Sequence, residues 1–83
     1  MYRVFIERRA EKDLKRFNNE LYARVMRVLL SLKENPRPHG TKKLRDKGNE
    51  WRLRVGNWRI TYEINDGEEA IRIFRVKHRG KGY

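Results

Sequence analysis

The side chains best suited to chemistry lie between residues 51 and 64, where arginine alternates with apolar residues. Arg52 and Arg54 alternate with apolar residues in segment 51–55, and Arg59 does the same in segment 58–64. Because successive side chains of a strand point to opposite faces, this pattern predicts two strands with one apolar and one basic face. The planar guanidinium forms bidentate, charge-assisted hydrogen bonds with phosphate, so grouped arginines are typical of a phosphate-binding surface.

The dipeptide Gly56-Asn57 between these strands predicts a two-residue hairpin turn with a positive φ at the glycine. Such a turn places Arg54 opposite Arg59, and Arg52 opposite Thr61. Like charges at opposed positions destabilise a sheet. The pairing therefore indicates that an anion binds between the guanidiniums and offsets their repulsion. The alternative is a solvated basic face in a basic protein.

The C-terminal segment continues the basic pattern with Lys77, Arg79 and Lys81, and it adds His78 and Tyr83. Histidine is the side chain best suited to proton transfer near neutral pH. An aromatic ring at the edge of a basic face can stack on an unpaired base of RNA. Each of the two also has a simpler interpretation, as a surface histidine and as a frayed chain end.

The elements that position these residues follow from the hydrophobic periodicity. A first strand over residues 2–6 is followed by a helix from Glu7, and Asn18-Asn19 offers a break and a new N-cap. A second helix should stop before Asn35-Pro36, since proline disfavours helical geometry in its predecessor. The order β-α-α-β-β-β predicts a single α+β domain over residues 1–83, an antiparallel sheet with a helical hairpin packed on one face.

Two segments leave alternatives open. In the last strand, near residues 70–76, Ile71 and Ile73 differ in parity from Phe74 and Val76, and a bulge would reconcile them.

Residues 36–50 form a long polar connection, which is either a functional loop or a solvated linker. Leu44 is expected to pin that connection to the core. The basic residues of this connection are candidates for binding nucleic acid, and so are two later lysines, Lys77 and Lys81. Those in the connection are Lys42, Lys43, Arg45 and Lys47.

Composition limits the classes of function. The 83 residues include 22 Lys and Arg against 11 Asp and Glu, a net charge of +11, which predicts attraction to nucleic acid, an anionic membrane or an acidic protein. No stretch approaches the roughly 18 apolar residues of a membrane span. With no cysteine and two histidines, we expect no disulfide, metal centre or cofactor, and a reducing cytoplasmic location.

The order and spacing of three segments resemble the RelE/ParE superfamily of toxins, and the RelE branch most closely. The resemblance covers essentially the whole chain. It is carried by Lys43-Leu44-Arg45, by the run from Trp51 to Tyr62, and by the ending Val76-Lys77-His78-Arg79-Gly80-Lys81-Gly82-Tyr83.

The resemblance implies a toxin of a type II toxin–antitoxin pair that cleaves mRNA in the ribosomal A site. Its implied partners are the ribosome, mRNA and an acidic cognate antitoxin, and a toxin–antitoxin heterotetramer is one assembly that it allows. By position, Arg52 and Arg54 match the basic strand pair of RelE toxins, and Arg59 matches the arginine at the scissile phosphate. Arg79 matches a basic residue near the leaving oxygen, and Tyr83 matches the tyrosine that orients the nucleotide.

One departure from the family pattern concerns proton transfer. The usual lysines are replaced by Arg52 and Arg54, and arginine effectively never loses its proton in proteins. Either electrostatics and the ribosome's ordering of the RNA suffice, which we favour, or His78 transfers the proton. The competing functions are a ParE-like inhibitor of DNA gyrase and a non-catalytic RNA-binding module.

Overall fold

A computed structural model describes residues 1–44 and 48–78. The described elements are β1 (Arg3–Ile6), α1 (Arg8–Lys15), α2 (Asn19–Ser31), β2 (Thr41–Lys43), β3 (Glu50–Val55), β4 (Trp58–Asn65) and β5 (Ala70–His78). The predicted α+β class is confirmed, with both helices ahead of the main antiparallel strands. No helix in the described ranges is both long and apolar enough to cross a membrane.

The sheet has the strand order β1-β5-β4-β3-β2 and is mixed rather than wholly antiparallel. The first strand pairs in parallel with the last, with Val4 beside Ile71 and Ile6 beside Ile73. The αα-hairpin carries the chain away from β1, so β1 can fill the edge that the β3–β4–β5 meander leaves open. All other pairings are antiparallel.

The structure also adds a strand, β2, within the polar connection 36–50. Its residue Thr41 pairs with Leu53, and Lys42 pairs with Arg52. Leu44, which we expected to pin this connection to the core, is instead half-buried and lies outside the core cluster.

Both helices begin and end close to where the sequence predicts. The side chain of Asn18 caps α2 by accepting a hydrogen bond of 2.8 Å from the backbone N–H of Leu21. The chain leaves regular α2 after Ser31, shortly before Pro36. Ala10, Leu14, Val25 and Leu29 of the helices and Leu32 just after α2 are buried. They form one core cluster with the inward-facing strand residues Leu53, Ile60, Tyr62, Ile64, Ile71, Ile73 and Val76.

The hairpin between β3 and β4 has the register predicted from its turn. Arg54 lies opposite Arg59, and Arg52 lies opposite Thr61. Gly56 has a φ of +58°, a conformation that glycine adopts without the steric cost of a side chain. The turn residues thus decide which side chains share a face.

The predicted bulge in β5 is present at Phe74. The pairing passes from Thr61–Arg75 directly to Tyr62–Ile73, which leaves Phe74 without a partner in β4. The extra residue allows Ile71, Ile73 and Val76 all to be buried. It also places the consecutive side chains of Phe74 and Arg75 on the open face, where they line the same pocket.

Helix α1 protects the part of β5 that β1 does not cover. Pairing with β1 ends at Ile73, and beyond it the backbone N–H of Val76 donates to Asp13 Oδ2 at 3.0 Å. An unpaired strand edge invites association with other chains. The carboxylate of Asp13, on α1, accepts the hydrogen bond from Val76 N–H that a neighbouring strand would otherwise accept.

Candidate functional site

The open face of the sheet carries ordered rows of charge. One row across the strands is Arg54–Arg59–Lys77, and the next is Lys42–Arg52–Thr61–Arg75. Opposed side chains on one face lie close enough to interact. We name the six cations of these rows the basic face: Lys42, Arg52, Arg54, Arg59, Arg75 and Lys77.

The charge changes sign along the strands. The row that follows is Glu50–Glu63–Arg72, in which two carboxylates lie opposite each other. Arg72 lies 3.9 Å from Glu63 and 3.7 Å from Glu7. The positive potential is therefore concentrated at the end of the sheet beside the Gly56 turn, and an anion would be held there.

A shallow pocket of about 340 Å³ lies within the basic face. Four cations line it, namely Arg52, Arg59, Arg75 and Lys77, together with Leu44, Glu50 and Thr61. We name this the basic pocket. Arg52, Arg59 and Lys77 repel one another at this distance, and an anion bound between them would offset that repulsion.

One atom of the basic pocket lacks a hydrogen-bond partner. Arg52 Nε is buried and has no acceptor among the described residues. Buried polar groups are almost always satisfied in native proteins, so an unsatisfied one calls for a reason such as an absent ligand. A phosphate oxygen is an acceptor of the required kind.

Arg75 is held in place from behind the pocket. Its Nε and Nη2 donate to the two carboxylate oxygens of Asp13 at 2.9 and 3.0 Å. Burial by itself would raise the pKa of Asp13, but the bonds from Arg75 and from Val76 N–H, with the charges of Arg75 and Lys77, lower that pKa below its usual value. The carboxylate therefore stays charged at neutral pH and fixes the guanidinium.

The segment that carries Lys42 is anchored by contacts with β3, β4 and the turn after β4. Tyr62 Oη donates to the carbonyl of Pro36 at 2.8 Å. Arg37 donates to both oxygens of Asp66 at 3.3 and 2.8 Å, and its guanidinium lies 4.7 Å from the centre of the Trp51 ring. The hydrogen bond from Arg37 holds the pKa of Asp66 below its usual value. These contacts set the path of the chain into β2.

Two of the sequence-predicted residues are not brought to the basic face. His78 is paired with Trp58, and their rings meet edge to face at 4.8 Å on the side of the sheet that faces the helices. Lys43 is paired with Trp51 on that same side, with its Nζ 5.9 Å from the ring centre. The pleat separates both from Arg59 and Lys77, which are on the opposite face.

Sequence reasoning missed two residues that the structure brings to this surface. Arg75 lines the basic pocket, but the parity of β5 could not be predicted before the position of its bulge was known. His39 lies with Lys42, Arg52 and Arg54 around a neighbouring pocket of about 310 Å³. Its place depends on β2, for which the polar run 36–50 gives no clear signal.

Five of the predicted residues lie outside the described residues, and the structure makes no statement on them: Arg45, Lys47, Arg79, Lys81 and Tyr83.

Comparison with known proteins supports the resemblance seen in the sequence. The family profile of the ParE toxin of the type II toxin–antitoxin system parDE matches residues 4–83. No curated protein matches the chain.

Solved structures with the same fold include RelE toxins and their complexes with RelB antitoxins. The RelBE2 toxin–antitoxin complex from Mycobacterium tuberculosis is similar with a TM-score of 0.83 and 29% identity, covering 94% of this chain and 98% of that one. The RelE–RelB complex from Pyrococcus horikoshii OT3 is similar with a TM-score of 0.84 and 29% identity, covering 98% of both chains. The isolated E. coli RelE toxin has a TM-score of 0.81 at 18% identity, covering 99% of this chain and 88% of that one.

The match to the family profile covers residues 4–83, and the fold is shared with the solved RelE structures at TM-scores of 0.81 to 0.84. The predicted relationship is therefore confirmed: this chain belongs to the ParE toxin family within the RelE/ParE superfamily and is a toxin of a type II toxin–antitoxin system.

Proposed function

We propose that this toxin is a ribosome-dependent endoribonuclease that cleaves mRNA in the A site and binds the scissile phosphate on the basic face. The observation that carries the proposal is the group of Arg52, Arg59, Arg75 and Lys77 around one pocket, with Arg52 Nε lacking an acceptor among the described residues. A sheet selected only for stability would not place Arg54 opposite Arg59.

The reaction is attack by a ribose 2′-oxygen on the adjacent 3′-phosphorus. The P–O5′ bond breaks, the proton of the 2′-hydroxyl ends on the leaving 5′-oxygen, and the products are a cyclic 2′,3′-phosphate and a 5′-hydroxyl. Negative charge grows on the non-bridging oxygens, where preorganised cations stabilise the transition state most. In-line orientation of the 2′-hydroxyl supplies a further large share of the rate.

Within this scheme, Arg59 contacts the scissile phosphate, and Arg52 and Arg54 stabilise its developing charge. Arg79 and Tyr83 keep the roles that the resemblance implies, charge at the leaving oxygen and stacking on the nucleotide. Lys42, Lys77 and Lys81 are proposed to contact flanking phosphates or ribosomal RNA, as are Lys43, Arg45 and Lys47. We favour a mechanism by electrostatics and substrate orientation, because His78 faces away from the basic face.

The test is cleavage of mRNA on programmed ribosomes by the purified toxin. We expect Arg59→Ala to lower the single-turnover rate by about 10²-fold, the scale for loss of one transition-state donor, with ribosome binding nearly unchanged. Equal losses in rate and binding would favour a non-catalytic RNA-binding module. His39→Gln and His78→Gln should keep the wild-type pH–rate profile, and a lost limb in either would assign proton transfer to that histidine.

A second candidate function is inhibition of DNA gyrase, favoured by the ParE description of the matching family. A supercoiling assay with the same preparation distinguishes the two. Gyrase inhibition with intact mRNA would replace the nuclease proposal.

We also propose an acidic cognate antitoxin as the partner of this toxin. The similar structures from M. tuberculosis and P. horikoshii are toxin–antitoxin complexes, and a net charge of +11 favours association with a negatively charged chain. Co-expression with the neighbouring reading frame, followed by purification of the complex and its mass, tests the partner and its stoichiometry.

A further inference from the structure

We propose that a second pocket, beside the β5 bulge, binds the base of one unpaired nucleotide that flanks the phosphate on the basic face. This inference rests on the proposed function, since it extends the path of the same RNA. The pocket has a volume of about 480 Å³, and Phe74 is the one aromatic residue among the described residues that line it, so we name it the Phe74 pocket.

The Phe74 pocket adjoins the basic pocket. Both are lined by Glu50, Thr61 and Arg75. An RNA strand whose phosphate lies between Arg52 and Arg59 would therefore place its neighbouring nucleotide close to Phe74.

The bulge explains why an aromatic ring is available there. Phe74 has no partner in β4 and is not part of the core cluster, although a phenylalanine would stabilise the fold most if it were buried. Bulges commonly re-aim a side chain next to a functional site. Here the extra residue sets a ring and a guanidinium, those of Phe74 and Arg75, side by side on one face.

The surrounding charges fit a single nucleotide. Arg8 and Arg9 are exposed at the rim of the pocket, and Arg75 is fixed in its wall by Asp13. The carboxylates of Glu7 and Glu50 also line the pocket. They repel a phosphate from its interior but accept hydrogen bonds from the edge of an uncharged base. The pocket therefore suits a base against Phe74 with its phosphate near the arginines, because stacking on an aromatic ring is the usual mode for unpaired bases.

The experiment is a coupling measurement between one side chain and one base. A short single-stranded RNA with 2′-O-methyl groups, which prevent cleavage, is bound at low ionic strength by wild type and by Phe74→Ala. An abasic site is then placed at each position of the RNA in turn. For wild type, we expect one position at which loss of the base weakens binding about tenfold. The same abasic RNA should bind Phe74→Ala no more weakly than the intact RNA does.

Matched variants separate stacking from folding. Phe5→Ala removes the same side chain from the open face of β1, where it does not line the pocket, and should retain the wild-type abasic profile. Phe74→Tyr should also retain it. If Phe74→Ala does not fold, Phe74→Leu keeps an apolar side chain without the ring and must show the same loss of coupling.

The outcomes distinguish this inference from the proposed function. No coupling at any position, or no binding of the RNA by wild type, would overturn the Phe74 pocket as a nucleotide site. Cleavage on the ribosome without coupling rejects the pocket alone. Coupling without cleavage supports the pocket and rejects the nuclease.

Discussion

At the scale of single residues, Asp13 is the one charged side chain that is buried among the described residues. It is a buried carboxylate that accepts two bonds from Arg75 and one from Val76 N–H. An ion pair of this kind is costly to break by removing one partner, since the other charge is left without compensation. Asp13 therefore has two roles. It stabilises the contact between α1 and β5, and it fixes the position of the Arg75 guanidinium in the basic pocket.

We predict that Asp13→Asn lowers the free energy of unfolding by about 2–3 kcal/mol at neutral pH. The folded-state pKa of Asp13 is depressed, so its stabilisation is present above the unfolded value of about 4 and is lost as the pH falls through the lower folded value. Urea unfolding of both proteins should therefore give a constant difference from about pH 5 to 8.

Below about pH 4 the difference between wild type and Asp13→Asn should shrink. Asp66, whose pKa is also lowered, contributes to the acid sensitivity of both proteins and cancels in the comparison. A difference that persists undiminished at about pH 2 would show that Asp13 acts through shape rather than charge.

At the scale of elements, the two faces of the β3–β4 hairpin have opposite effects on stability. Its apolar face supplies Leu53, Ile60 and Tyr62 to the core. Its other face places Arg54 opposite Arg59. The same register that buries the core face thus forces two cations together.

Replacing one member of that pair should stabilise the protein. We predict that Arg59→Thr raises the free energy of unfolding by about 0.2–1 kcal/mol, since it removes a cross-strand repulsion and introduces a residue that favours strands. The same variant should lose most of the cleavage activity. Urea denaturation and the ribosome assay measure the two effects.

Arg59→Lys is the control, because it keeps the like charge and should leave the stability near the wild-type value. A decrease in stability for Arg59→Thr would mean that Arg59 stabilises the fold and that its repulsion with Arg54 does not dominate.

At the scale of the whole molecule, the net charge of +11 is distributed unevenly over the fold. Two rows of cations cover one end of the open face, and carboxylates begin at the third row. Long-range attraction depends on the total charge, whereas the number of phosphates bound depends on how many cations contact them.

The salt dependence of RNA binding separates these contributions. We predict that Arg59→Ala reduces the slope of log K against log salt concentration by about 0.7, the value for one phosphate of a single strand. Arg27→Ala removes the same charge from the exposed surface of α2 and should leave the slope almost unchanged. Equal slopes for wild type and Arg59→Ala would remove Arg59 from the phosphate contacts.

Local chemistry in the sequence determined the hairpin, its register and the grouping of three arginines on one face. These features depend on a two-residue turn and on strict alternation, so neighbouring residues contain the necessary information. The cap at Asn18 and the presence of a bulge in β5 were predictable for the same reason.

Tertiary structure alone decided the rest. The parallel pairing of β1 with β5, the bond between Asp13 and Arg75 and the pairing of Lys42 with Arg52 join residues far apart in the chain. The bulge placed Arg75 on the open face and His78 on the other. Long-range contacts of this kind depend on how the core packs as a whole, and periodicity within a segment cannot specify which distant segment will cover it.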